Sequence, residues 1–232
     1  MNTLILLSLI AGVLAIDDRA GWQSLLAQPV FAALLVGFVT GEVRTAVAVG
    51  LILELIWLSI LPMRGLRRPD QIAGAVVGAG TAALLMKLTA DPRVYFISAT
   101  GILVGLFAGE LGARVSAPLF ALLNRRLGRV EFSPEAGFAR TARKLLVLQA
   151  GSTLYLFVVE AVVVFILLGA GYHGAERLTR YVGGALVAGA ASWDRLLPAL
   201  GAASLIHVYW HRHLKRVIIL CAVMVILVLW LR

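Results

Sequence analysis

A single carboxylate, Glu54, stands inside the apolar run LILELIWL, and few features restrict a fold more. A charged side chain in the middle of hydrocarbon must face a partner, a cavity or a ligand, because nothing else offsets its lost hydration. The run belongs to a longer stretch, residues 28–70, which reads QPVFAALLVGFVTGEVRTAVAVGLILELIWLSILPMRGLRRPD. Two apolar arms, 29–40 and 45–61, flank the polar break Gly41-Glu42-Val43-Arg44, and a second break, 62–70, closes the unit. The arms hold 12 and 17 residues, whereas a spanning helix needs about 20. The stretch therefore predicts a pair of half-spanning or tilted helices, a re-entrant hairpin. Interrupted segments of this kind are tolerated at membrane depth only when packed in protein or lining a wet cavity. Transporters place their sites there, and the stretch points to transport.

The remainder of the chain agrees with a membrane setting. Of 232 residues 61% are hydrophobic, with mean hydropathy +0.94, against about 45–50% apolar in soluble domains. The alternation of a membrane barrel is absent. The chain is expected to be an all-α polytopic membrane protein in one domain. Residues 2–16 form an apolar helix stopped by Asp17-Asp18-Arg19; without a basic start or a small-residue cleavage site, it is expected to be retained. The net charge of +9 is assigned to orientation and anionic lipid rather than nucleic acid, because the basic residues cluster between apolar segments. The single Cys221 allows no internal disulfide.

Further along, segments 71–90 and 93–112 carry glycines four apart, Gly74 and Gly78 in the first and Gly101, Gly105 and Gly109 in the second. That spacing lets helix backbones approach closely. Residues 113–144 hold seven basic residues against two acidic ones, which predicts a cytoplasmic loop, part helical from Ser133-Pro134-Glu135 onward. Segment 145–170 crosses with Glu160 in its middle, and 171–180 is expected to be a polar loop. Two short arms, 181–191 and 196–209, then flank Ser192-Trp193-Asp194-Arg195, before the basic turn WHRHLKR and a last helix over 217–231. This second hairpin unit, about 181–209, repeats the plan of the first, about 28–70, and suggests an inverted internal repeat. No nucleophile–base pair, phosphate cradle, cofactor motif or metal set is legible. His211 and His213 are two residues apart and would not share a helix face.

The residues also carry a family resemblance. Asp17, Pro29 twelve residues later, then LLVGFVTGE, VGLILELIWL and RRPD resemble the enzyme IIC membrane subunit of mannose/fructose/sorbose-type phosphotransferase systems. The likeness is strongest over residues 16–80, and VGGALVAGA and LLPALGAASLI look like that family's C-terminal hairpin. The resemblance implies a hexose permease of the bacterial inner membrane, with a core moving against a scaffold and no cofactor of its own. It implies partners: an enzyme IID-like membrane subunit, cytoplasmic IIB and IIA subunits that phosphorylate the sugar, and an oligomer. No histidine of this chain would carry phosphate. Glu42 stands where the family commonly has Asp, and Arg64, Arg67 and Arg68 replace small neutral residues. Those arginines would bind an anionic ligand or close the site by pairing with Asp70 or Glu42. Two other readings follow: a non-transporting regulatory or scaffolding paralogue, and a carrier of another, anionic solute.

The candidate substrate residues are Glu54, Asp70, Gln23 and Asp17, with Glu42, Arg64, Arg67 and Arg68 as gating or ion-pair groups. Each has a plainer role. Glu54 could pair with Arg44 or one of the later arginines, Asp70 could cap the following helix, and Asp17 could simply end a helix. Glu160 is expected to pair with a basic residue on a neighbouring helix or on the companion subunit.

Overall fold

The computed structural model describes residues 1–20, 24–58, 69–88, 94–127 and 138–181, with position 199. Gln23, Arg64, Arg67 and Arg68, the last helix and all of the second hairpin unit beyond Tyr181 except Ala199 lie outside the described residues. The described residues form six helices: α1 (Asn2–Arg19), α2 (Pro29–Thr40), α3 (Val43–Leu58), α4 (Gln71–Leu88), α5 (Val94–Leu127) and α6 (Phe138–Tyr181). Three of these segments, Gln71–Leu88, Tyr95–Arg125 and Thr141–Tyr181, are long and apolar enough to cross a bilayer.

The organising hairpin forms as the sequence predicts. Pro29 takes the first helical position of α2, where its missing N–H costs nothing. Gly41 ends α2 in the left-handed conformation at φ 79°, its N–H donating to the Gly37 carbonyl at 2.8 Å. A β-carbon is disfavoured in that conformation, so glycine sets the turn. The break is shorter than expected: only Gly41 and Glu42 separate the helices, and Val43 and Arg44 already belong to α3. The two helices run antiparallel at close range. A methyl on Gly37 would meet the Val43 Cα at 2.6 Å, and one on Gly50 would meet the Ala33 Cβ at 2.4 Å. At about 18 and 24 Å long, neither helix matches a hydrocarbon core of about 30 Å.

Helix α4 lies at the centre, with 13 of its 18 residues buried and neighbours on every side: α1, α2, α3, α5 and α6. Its residues are small, so the neighbours approach its backbone rather than its side chains. Gly78 faces the Gly101 carbonyl and the Gly105 Cα, and Gly74 faces the Gly105 carbonyl, which makes α4 and α5 antiparallel. The indole of Trp57, reaching over from α3, lies against Gly74 and Gly109 and seals this seam.

Three boundaries correct the sequence reading. α1 runs through Asp17 and Asp18 and ends at Arg19. α5 continues past residue 112 to Leu127, through Pro118, and so absorbs the first part of the basic region. Residues 171–180 are not a loop but the last turns of α6. Ion pairs one helical turn apart, Arg180 with Glu176 and His173 with Glu176, line that exposed end.

The α4–α5 seam generates a direct test. Gly78→Ala should place a methyl 2.8 Å from the Gly101 carbonyl, force two backbones apart and cost about 1–3 kcal/mol. Gly169→Ala, with nothing within 4 Å of the new methyl, should leave the melting temperature in detergent unchanged or raised. Equal melting temperatures for the two variants would show that the seam does not depend on glycine.

Candidate functional site: a guanidinium shared by two buried carboxylates

The start of α4, the end of α1 and the middle of α6 meet at one point, where three charged side chains converge. Arg19 Nη2 donates to Asp70 Oδ2 at 3.0 Å and its Nη1 donates to Glu160 Oε2 at 3.0 Å. The Asp70 side chain is 1% exposed, that of Glu160 0%, and that of Arg19 24%. The guanidinium also lies over the Phe120 ring of α5, 4.2 Å from its centroid, a cation–π contact that suits its planar charge.

Local structure places each group. Asp70 precedes the first residue of α4 and caps it: Oδ1 accepts the Ala73 N–H at 3.1 Å, one of the donors that a helix start leaves unpaired. Its own N–H donates to the Gly109 carbonyl at 2.8 Å, an unusual tie between a cap and the neighbouring helix. The Ser116 hydroxyl, 3.1 Å from Asp70 Oδ2 and 2.7 Å from the Gly112 carbonyl, shares its proton between them. Gly112 makes room, since a methyl there would press on the Asp70 Cβ at 3.2 Å. Three donors thus engage Asp70, one on Oδ1 and two on Oδ2. Glu160 is different: Oε2 holds Arg19, but Oε1 is buried with no hydrogen-bond partner among the described residues.

Charge bookkeeping makes the cluster unusual. Two buried carboxylates share one guanidinium, where a balanced pair would need one of each. In the sequence Arg19 reads only as part of a helix stop, and no local pattern singles out Ser116 or Phe120. The available signal was the need for a counter-ion: two intramembrane acids, Asp70 and Glu160, call for a cation, and Arg19 ends a helix short enough to reach them. The expectation that Glu160 pairs with a basic residue on a neighbouring helix is met by Arg19.

The other sequence candidates lie elsewhere. Glu54 Oε2 accepts the Val30 N–H at 3.0 Å, so this carboxylate of α3 caps the positive end of α2 rather than pairing with Arg44. Its Oε1 is the remaining acceptor. Asp17 accepts from the Ser24 N–H and hydroxyl, at 3.2 and 2.9 Å, and ties the end of α1 to the chain leading into α2. The Glu42 N–H sits 3.4 Å from the Thr40 hydroxyl, and its residue forms the hairpin turn.

Removing Arg19 is the test of this charge count. Arg19→Gln leaves two buried carboxylates without a cation and should cost about 3–5 kcal/mol, read as a lower melting temperature in detergent. Glu160→Gln leaves one carboxylate on one guanidinium and should cost far less, within about 1 kcal/mol of wild type. A large loss in both variants would mean that the second carboxylate is needed to hold the fold.

With this geometry in hand, comparison with known proteins gives three findings. Residues 1–229 match the family described as the sorbose-specific IIC component of the PTS system. A stretch of 55 residues, 24% of this chain, is 38% identical to a protein of Escherichia coli (strain K12) named, provisionally, N-acetylgalactosamine permease IIC component 2. That match covers 41% of the relative's length. A solved structure described as a membrane protein is similar with a TM-score of 0.70 at 14% identity, over 97% of this chain and 86% of its own, a likeness of fold.

Proposed function

The chain belongs to the sorbose-specific IIC family of phosphotransferase systems, and we propose that it is the sugar-translocating subunit of a mannose-type system. In this reading it is a single permease domain of the bacterial inner membrane that moves a hexose inward. A partner IIB subunit, supplied by IIA, phosphorylates the sugar on arrival. An enzyme IID-like subunit completes the membrane complex. The basic stretch 113–144 faces the cytoplasm, and no phosphoryl transfer occurs on this chain.

One observation carries the reading within the family frame. A hairpin of two helices too short to span runs close against the small-residue helix α4, which a buried aspartate begins. Packed interrupted segments of this kind are where transporters hold solute. Asp70 and Glu54 present carboxylate oxygens to sugar hydroxyls, and Asp17 and Gln23 contribute from the connector. Glu42, Arg64, Arg67 and Arg68 gate the entrance.

The non-transporting paralogue is supported by a specific feature. Asp70 already accepts from the Ala73 N–H, from Arg19 and from the Ser116 hydroxyl, three of the about four acceptor positions of a carboxylate. A chain fixed in this arrangement would keep the family fold and move nothing.

Uptake of labelled hexoses by cells expressing this chain with its cognate IIB and IID subunits separates the two. Glu54→Gln retains an acceptor for the Val30 N–H while losing the charge, so the variant should insert normally. Uptake that requires all three subunits and falls at least tenfold in this variant supports the permease. Absence of uptake of every hexose, from a correctly inserted complex, favours the paralogue.

A further inference from the structure

The Arg19 cluster contains one carboxylate more than charge balance needs, and one carboxylate oxygen more than its donors satisfy. Both surpluses fall on Glu160. Its Oε1 is buried and unpartnered among the described residues, while Oε2 of the same group already holds Arg19 at 3.0 Å. A buried carboxylate oxygen without a donor is costly, and native structures keep few of them. The guanidinium has five donors in a planar fork, and its preferred partner is a carboxylate gripped through both oxygens. Here it spends its two terminal nitrogens on two different carboxylates.

These facts describe one arrangement of a group that has a second one available. We infer that Glu160 is a parking position for Arg19: the guanidinium can leave Asp70, close on both oxygens of Glu160 and free the Asp70 carboxylate for a ligand hydroxyl. In the arrangement seen here the site is latched, with Asp70 Oδ2 held by Arg19 and Ser116. In the other, Glu160 Oε1 gains its missing donor and Asp70 loses one. The exchange is close to neutral in hydrogen bonds, and Asp70, left without its cation, keeps the Ala73 N–H and the Ser116 hydroxyl as donors, so that two states of one cluster are defined. A ligand that donates to Asp70 then favours the parked arrangement.

Among the described residues, the groups around the exchange are few. From α1 comes Arg19, whose Nε also lies 3.7 Å from Asp18 Oδ2. From the start of α4 comes Asp70, from α5 the Ser116 hydroxyl and the Phe120 ring, and from α6 Glu160 itself. Ser116 keeps one donor on Asp70 after Arg19 leaves, so the aspartate is not abandoned in the interior. Glu160 is a positioning residue in this scheme: it acts on ligand only through Arg19 and Asp70.

This inference rests on the proposed permease reading in assigning Asp70 a ligand, so its test has an arm that needs no ligand. The purified chain and its variants are treated with a hydrophobic carbodiimide, and modification of Asp70 is mapped by mass spectrometry. Wild type should label at Asp70 slowly, through the parked population. Glu160→Gln removes the parking charge and should protect Asp70 at least fivefold, while its melting temperature stays near wild type. The double variant Arg19→Gln/Glu160→Gln has no latch and should label at Asp70 faster than wild type. In parallel, binding of mannose and N-acetylgalactosamine is measured by calorimetry. Binding should weaken at least tenfold in Glu160→Gln and return toward wild type in the double variant.

Equal labelling of Asp70 in wild type and Glu160→Gln would overturn the switch, since a merely structural Glu160 predicts no difference. So would undiminished sugar binding in Glu160→Gln. Failure of wild type to bind either sugar, with the labelling pattern as expected, would count against the permease reading and leave the switch supported.

Discussion

The close contact of α4 with α5 is the constraint on which the remaining structure depends. In hydrocarbon there is no hydrophobic force to push helices together, so packing contacts and hydrogen bonds must do it. Glycines at 74 and 78 meeting glycines at 101 and 105 bring the two backbones into contact. That contact sets how far α5 lies from the start of α4, and so allows the Gly109 carbonyl to take the Asp70 N–H and Ser116 to reach the Asp70 carboxylate. The cap of one helix is thereby completed by the next. A larger residue anywhere along the seam would open both the packing and the polar site.

Polar groups in this protein are satisfied by two devices of different reach. Thr40, Thr100, Ser8 and Ser116 turn their hydroxyls back onto the carbonyl four residues earlier, a solution internal to one helix. The charged groups of the interior instead join helices that are distant in sequence, while pairs within one helix, such as Arg180 with Glu176, lie at its exposed surface. Arg19 reaches 51 residues to Asp70 and 141 residues to Glu160, and Glu54 reaches back 24 residues to the start of α2. The carboxylates inside the membrane region are therefore the long-range staples of the fold as well as its candidate chemistry. Replacing one partner of such a pair costs more than the pair contributes, because the survivor is left buried and uncompensated.

The hairpin was legible in the sequence because its ends are written in residues with a single strong preference. Pro29 opens α2, Gly41 closes it, and Asp70 opens α4, and all three boundaries fall where those residues place them. The glycine seam was legible for the same reason: spacing alone identifies it. What misled was the use of hydropathy to end helices. Polarity reports where a helix leaves the hydrocarbon, not where it stops. Residues 171–180 are polar and helical, as are Asp17, Asp18 and Arg19. The role of Arg19 was hidden further, because its partners lie on two other helices and no local pattern couples them. Only the unmet charge of Asp70 and Glu160 hinted at it.

Helix α6 runs unbroken for 44 residues, about 66 Å, and Glu160 sits near its midpoint. Tied there to α1 and α4 through Arg19, and packed on its neighbours through Phe157, Leu168 and Gly171, the helix is held around its middle. A tilt of about 5° about that point carries each tip through about 3 Å, in opposite directions. The two faces of the membrane are then mechanically linked with inverted sign: inward movement at one end of the beam is outward movement at the other. The ion pair at Glu160 would lie at the fulcrum of such a tilt, and its stiffness would set how faithfully one side reports on the other.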